Sequence, residues 1–172
     1  MHARIDRAEA LARIRREGGD FGCLMCALRD GRFGSLLMLH EDADALVLLP
    51  RYVTRWGHVL VVLRPHVTRF SGLAPGAWQH LCALAHHAAV AAEEVIQPRR
   101  CFIASTGSSG GELTQTSEHL HLHVLPITDA DDRPGRVFSW DEGVIDASDE
   151  AWASLRQRYA EVWARLDVAP MR

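Results

Sequence analysis

The chain has 172 residues, enough for one domain with a proper core, and is 48% hydrophobic and 24% charged with a formal charge of -3. That composition is ordinary for a globular protein and carries no basic excess for a nucleic-acid polymer. Apolar runs such as VLVVL at 59–63 fall far short of a membrane span, and the N-terminal MHARIDRAEALARIRREGGDFG lacks the apolar core of a secretion signal. A cytoplasmic location without a membrane partner is therefore expected.

In chain order, Asp6 is a candidate N-cap for a short helix over Asp6 to Glu17, carrying Ala8, Leu11, Ala12 and Ile14 and ended by Gly18-Gly19. This helix reads as an appendage. Leu36 to Leu39, Ala45 to Leu49 and Val59 to Leu63 are β-rich runs separated by the acidic turn at 41–44 and an arm ending Trp56-Gly57, which predicts an antiparallel meander. Pro75 opens a long helix in which Trp78, Leu81, Leu84, Ala85, Ala88, Ala92 and Val95 share the apolar spacing, and Pro98 marks its end. It is expected to lie across the sheet. Cys101 to Ser105 reads as a further strand, followed by the polar, glycine-rich TGSSGGELTQTS and then SEHLHLHVLPI. Ser148, Asp149 and Glu150 begin a last amphipathic helix carrying Leu155, Tyr159, Val162 and Leu166. Few strands are separated by helices, so an α+β domain with a mostly antiparallel sheet of about five strands is predicted, with a long helix across it and helices at both ends.

His119, His121 and His123 alternate with Leu120, Leu122 and Val124, so a strand sends the imidazoles to one face and the apolar residues to the other. Solvated strand faces draw on Thr, Lys, Glu or Arg, and imidazole is the side chain that titrates near neutrality, so the pattern points to chemistry. Adjacent histidines of such a strand sit roughly 6 to 7 Å apart and the outer pair about 13 Å apart, so two neighbours could share a zinc but all three could hardly do so. A division of labour follows. The preceding loop offers backbone N–H groups at Gly107, Gly110 and Gly111 and hydroxyls on Ser105, Thr114, Thr116 and Ser117, the makings of an anion cradle. A neutral imidazole beside such a cradle can attack phosphorus directly, and a second can assist the leaving group.

Four cysteines without a secretion signal are not a disulfide framework. Cys23-Leu24-Met25-Cys26 suits two thiolates on a zinc or a redox pair, and zinc would need two distant ligands, His being the obvious type. Cys82 and Cys101 are expected as core thiols, and His80, His86 and His87 as packing or solvated residues of the long helix.

His119-Leu-His121-Leu-His123-Val124-Leu125 resembles the signature of the histidine-triad (HIT) hydrolases and transferases, His-φ-His-φ-His-φ-φ with φ apolar, and runs on into Pro126. Upstream, Cys23-x-x-Cys26, Glu41-Asp42 before an apolar strand, Gly57-His58-Val-Leu-Val-Val and Arg64-Pro65-His66 are similar to the family's cysteine pair, acidic turn, Gly-His strand and following histidine, in the same order. The resemblance covers about residues 21–127 of a single domain spanning 1–172, leaving 1–20 as a helical extension and 128–172 as a divergent segment with a helix. It implies a HIT-like α+β fold, His121 as a nucleophile that becomes nucleotidylated, and His123 as its assistant. Ser105, Gln115, Thr116 and His58 would contact substrate or phosphate. A structural zinc would be held by Cys23, Cys26, His66 and His119. No organic cofactor is implied; the partners implied are a small nucleotide substrate and a second copy in a homodimer.

Three positions depart from the family pattern. The acid that grips ribose falls on Pro50, the Asn after the post-helix strand is Ser105, and Thr114 stands where a glycine would. The expected function is attack on the α-phosphorus of a nucleoside phosphate derivative (a phosphoramidate, dinucleoside polyphosphate or nucleotidyl sugar) through a nucleotidyl-histidine on His121. The alternative is a zinc-stabilised nucleotide- or partner-binding module with weak or no catalysis. A mononuclear hydrolytic zinc site is a third reading, disfavoured by the histidine spacing.

Overall fold

The structure, a computed structural model, describes residues 2–19, 22–33, 37–106 and 117–166. A short strand β1 (Ala3–Ile5) leads into α1 (Arg7–Gly18), where the Asp6 side chain accepts the Glu9 N–H at 2.9 Å and Gly19 ends the helix at φ 65°. The capping residues are those the sequence marks. A second helix, α2 (Leu24–Arg29), is only six residues long and begins at Cys23.

The meander follows as β2 (Leu37–Glu41), β3 (Ala45–Leu49) and β4 (Val59–Leu63); the predicted Leu36 start lies outside the described residues. The long helix α3 (Pro75–Ile96) starts at its proline and stops where Gln97 turns left-handed at φ 54°, one residue before Pro98. Then come β5 (Arg100–Ala104), β6 (His121–Ile127), α4 (Pro134–Phe138), β7 (Val144–Asp146) and α5 (Asp149–Trp163), the last capped by Ser148 on the Ala151 N–H.

The main sheet has five strands in the order β2-β3-β4-β6-β5, every pairing antiparallel. β3 and β4 are buried at all positions, which is why they read as continuous apolar runs rather than alternating ones. One face, with Val47, Val61, Leu63, Leu122 and Val124, packs against Leu81, Leu84 and Ala88 of α3 and Leu155 and Tyr159 of α5. The other face, with Leu46, Leu48, Leu60 and Val62, takes Met25 of α2. β1 and β7 form a separate two-stranded sheet that joins the two ends of the chain.

Gly57 sets the bend into β4. It holds φ 83°, and an added Cβ would lie 2.6 Å from the Ile96 side chain, while its carbonyl accepts the buried Tyr159 hydroxyl at 2.8 Å. The residue that follows, His58, is thereby fixed at the strand entrance.

β6 starts at His121, so His119 lies in a bend just before the strand, with its ring on the α2 side like those of His121 and His123. Two expectations are corrected. Trp78, expected on the buried stripe of α3, is 38% exposed and meets Phe70 edge-on at 5.4 Å between ring centroids. Cys82 is exposed rather than a core thiol; Cys101 is half-buried, its thiol pushed up to about 11 by burial.

Candidate functional site

His119 is fully buried, and the bend that takes it out of the strand turns its ring toward α2. Its Nε2 lies 2.8 Å from the Leu63 carbonyl, which can only accept, so Nε2 carries the proton and Nδ1 presents a lone pair. That Nδ1 is 3.7 Å from Cys23 Sγ and 3.5 Å from Cys26 Sγ, and Cys26 Sγ is 3.2 Å from His66 Nδ1. All four ligand atoms lie within 4.8 Å of one another, the one such group found among the described residues.

A tetrahedral zinc with Zn–S of about 2.3 Å and Zn–N of about 2.0 Å separates its ligand atoms by about 3.3 to 3.8 Å, and these atoms already stand near those separations. The Leu63 carbonyl behind His119 is the outer partner that a metal-bound imidazole needs. Burial pushes His119 down to about 4 and, with the neighbouring Cys23, raises the Cys26 thiol; a bound dication would reverse the latter by taking the thiolate. The residues fit zinc, and with four protein ligands they leave no open coordination position for a hydrolytic water.

His121 and His123 stand opposite Val62 and Leu60, on the α2 face of the sheet. His121 is 2% exposed, and its Nδ1–H donates to the carbonyl of His119 at 2.7 Å, so its Nε2 is unprotonated and carries a lone pair. His123 Nε2 lies 3.0 Å from that nitrogen and 3.0 Å from the Thr106 hydroxyl, while His123 Nδ1 lies 3.0 Å from His58 Nε2. The proton pattern follows from one carbonyl: His123 donates from Nε2 to His121, and His58 donates from Nε2 to His123. His58 Nδ1 is then a buried lone pair with no partner among the described residues. Burial, more than the neighbouring imidazoles, lowers all three, His58 to about 3 and His123 well below the ordinary value. The array is neutral at physiological pH.

These rings open on a cavity that is in part continuous with solvent. Most of its wall is apolar, including Leu48, Leu49, Pro50 and Leu60 of the meander. Of the expected phosphate contacts, His58 lines the cavity, and Ser105 follows β5 with a buried hydroxyl that has no partner among the described residues. Gln115 and Thr116 lie outside the described residues, as do Thr114 and the loop glycines.

Sequence reasoning missed Thr106, whose position beside Ser105 was the available signal, and Glu17, Tyr52, Phe138 and Trp140 on the cavity wall, which carry no local signal. His80 and His40 form a separate pair on one oxygen of Asp42, at 2.8 and 3.1 Å, and His87 stands edge-on to Trp163. Among the described residues no helix is long and apolar enough to cross a membrane.

The HIT domain family model matches residues 37–130. An uncharacterized HIT-like protein of Mycobacterium tuberculosis is 32% identical over 110 residues, covering 63% of this chain and 74% of that protein. Among solved structures, a zinc-bound histidine triad family protein from Mycobacterium smegmatis superposes with TM-score 0.64 at 25% identity, over 84% of this chain and 95% of that one. A hypothetical histidine triad nucleotide-binding protein from Sulfolobus tokodaii gives TM-score 0.66 at 18% identity, over 84% and 93%. The matched segment holds the meander, α3 and the His119-x-His121-x-His123 stretch that leads into β6, and the chain belongs to the HIT family.

Proposed function

We propose that this protein is a nucleotide hydrolase or nucleotidyl transferase in which His121 Nε2 attacks the α-phosphorus of a nucleoside phosphate derivative. The observation that carries the reading is the His121 hydrogen bond to its own chain: Nδ1–H on the His119 carbonyl leaves a neutral, unprotonated Nε2 facing the cavity. Attack forms the N–P bond and breaks the bond to the leaving group. The positive charge that then develops on the His121 ring rests against the carbonyl oxygen at Nδ1. As His121 Nε2 turns its lone pair to phosphorus, His123 shifts its Nε2–H from that nitrogen to a phosphoryl oxygen, and His58 keeps the proton on Nε2 by occupying Nδ1. Water then takes the nucleotidyl group in hydrolysis, or a second acceptor in transfer.

Cys23, Cys26, His66 and His119 would hold a structural zinc. When bound, zinc supplies a cross-link between α2, the end of β4 and the residue whose carbonyl orients His121. A homodimer through the free edge of β5 is part of the same reading, supported by the edge position of that strand and by Ile103, 49% exposed on it.

His121→Ala is expected to abolish turnover of an adenosine phosphoramidate, by 10³-fold or more in the manner of a lost nucleophile, with zinc content and thermal midpoint retained. Retained turnover would sink the assignment. The competing reading, a binding module without catalysis, is motivated by Pro50 on the cavity wall in place of an acid and predicts that the wild type binds mononucleotide but turns nothing over.

A further inference from the structure

The cavity beside His121 is not completed by the matched segment 37–130. Ile14 and Glu17 of α1 stand on its wall from one side of that segment, and Val137, Phe138 and Trp140 from the other. Neither contribution is a loose appendage. β1 pairs with β7 in the register Ala3↔Asp146, and Arg4 donates to the Gly143 carbonyl at 2.7 Å and the Thr54 carbonyl at 2.8 Å. The Ile145 N–H reaches the Val53 carbonyl at 2.8 Å, and the Thr54 hydroxyl reaches the Val137 carbonyl at 2.5 Å. Both ends of the chain therefore grip Val53-Thr54, the residues next to Tyr52.

Tyr52 closes this arrangement on the cavity wall. Its hydroxyl donates to Glu17 Oε1 at 2.5 Å, joining the last turn of α1 to the segment after β3. A carboxylate only accepts, and the Tyr52 bond occupies one oxygen of Glu17, leaving the other to a ligand in the cavity. Apart from the histidine and Thr106 group, the wall is chiefly apolar, so a ligand held at phosphorus by His121 lays an apolar or aromatic body along it. A carboxylate on such a wall favours a neutral hydrogen-bond donor and disfavours a second anion.

We propose that Glu17, held by Tyr52, is a specificity residue that accepts a hydrogen bond from a hydroxyl or amino group on the organic part of the substrate. The reading rests on the phosphoryl chemistry assigned to His121. The preferred substrates are phosphoryl compounds whose leaving chain points away from Glu17 and whose retained group is a ring system bearing neutral donors. The N-terminal helix then selects substrate, although it stands outside the matched segment.

The test uses the full chain as wild type, Glu17→Ala and Glu17→Gln, with adenosine 5′-phosphoramidate, its 2′,3′-dideoxy analogue and its inosine analogue. AMP binding is measured by calorimetry in parallel. Glu17 is exposed on α1, and zinc content and thermal midpoint serve as controls that the variants fold. Glu17→Ala is expected to raise KM and the AMP Kd about tenfold, as for a lost hydrogen bond to a charged group, with kcat held within about twofold. The penalty is expected to vanish with one analogue: the dideoxy compound if hydroxyls are read, the inosine compound if the amino group is. Glu17→Gln has a single acceptor oxygen, which the Tyr52 hydroxyl takes, so its NH2 faces the ligand and most of the loss is expected to remain. Glu17→Ala matching the wild type throughout, or an equal penalty on all three compounds, overturns the proposal. If the wild type turns over no phosphoramidate, the chemistry assigned to His121 fails, while the AMP Kd of wild type against Glu17→Ala still decides the role of Glu17. No AMP binding by the wild type overturns both.

Discussion

The carbonyl of His119 determines which nitrogen of His121 is protonated, and from that point the tautomers of His123 and His58 follow without further choice. His58 is thus a positioning residue for His123, reached only through the ring it contacts. Replacing it with Phe keeps bulk but removes the Nε2 donor, so His123 can carry its proton on the wrong nitrogen. His58→Phe is expected to lower kcat by about 10- to 100-fold, the usual cost of losing an orienting partner, and nitrogen NMR shifts of His123 should report the changed tautomer. An unchanged His123 spectrum with reduced kcat would point to packing alone. The triad spacing made His121 and His123 legible in the sequence, because a period of two is the signature of one strand face. The separate task of His119 was legible only through the family resemblance, which groups it with Cys23, Cys26 and His66; the Leu63 carbonyl that sets its tautomer was not, since only the folded chain brings it there.

At the scale of elements, α2 is too short to persist alone, since one or two turns do not repay the cost of nucleation. Met25 and the Cys23–Cys26 pair tie it to the sheet and to His66 and His119. Cys26→Ser, or a strong chelator, is therefore expected to lower zinc stoichiometry and to destabilise the fold by about 3 kcal/mol where zinc stood a hundredfold above its dissociation constant. Activity should fall too, because the His119 carbonyl loses its anchor. Loss of activity on chelation with the thermal midpoint unmoved would instead favour a catalytic metal.

A second joint, between the arm before β4 and the turn before α4, is the paired contact of Arg55 with Asp132, a carboxylate 1% exposed. The Arg55 hydrogen bonds, outweighing desolvation, hold the Asp132 carboxyl below its ordinary 3.8. A depressed folded pKa contributes stability that is complete above 3.8 and is lost as pH falls through the folded value. Asp132→Ala is expected to cost about 3 kcal/mol at neutral pH and progressively less as pH falls below 3.8, read from denaturant midpoints; a loss that does not shrink on acidification would contradict the pairing. Caps and apolar runs announced α1, α3, α5, β3 and β4. The three-residue strands β1 and β7 gave no signal, since their pairing joins opposite ends of the chain.

For the whole molecule, the sheet that carries the histidines ends at β5, and Ile103 exposes 49% of its surface on that edge. If a second copy pairs there, Ile103→Glu is expected to convert a dimer to a monomer in sedimentation equilibrium with the zinc content unaltered; a wild type that is already monomeric contradicts the dimer. The ends of the chain, which read as an appendage and a divergent tail, meet in the β1–β7 sheet and wall the cavity, a role invisible to local patterning because Glu17 and Tyr52 are 35 residues apart.

The central claim is that His121 Nε2 becomes bonded to phosphorus. The most direct test is mass spectrometry of the full chain, quenched at neutral pH after mixing with adenosine 5′-phosphoramidate, with the adduct mapped by proteolysis. A nucleotidyl group on His121 in the wild type, absent from His121→Ala, is the predicted result; turnover with no adduct, or an adduct that survives the substitution, would contradict it.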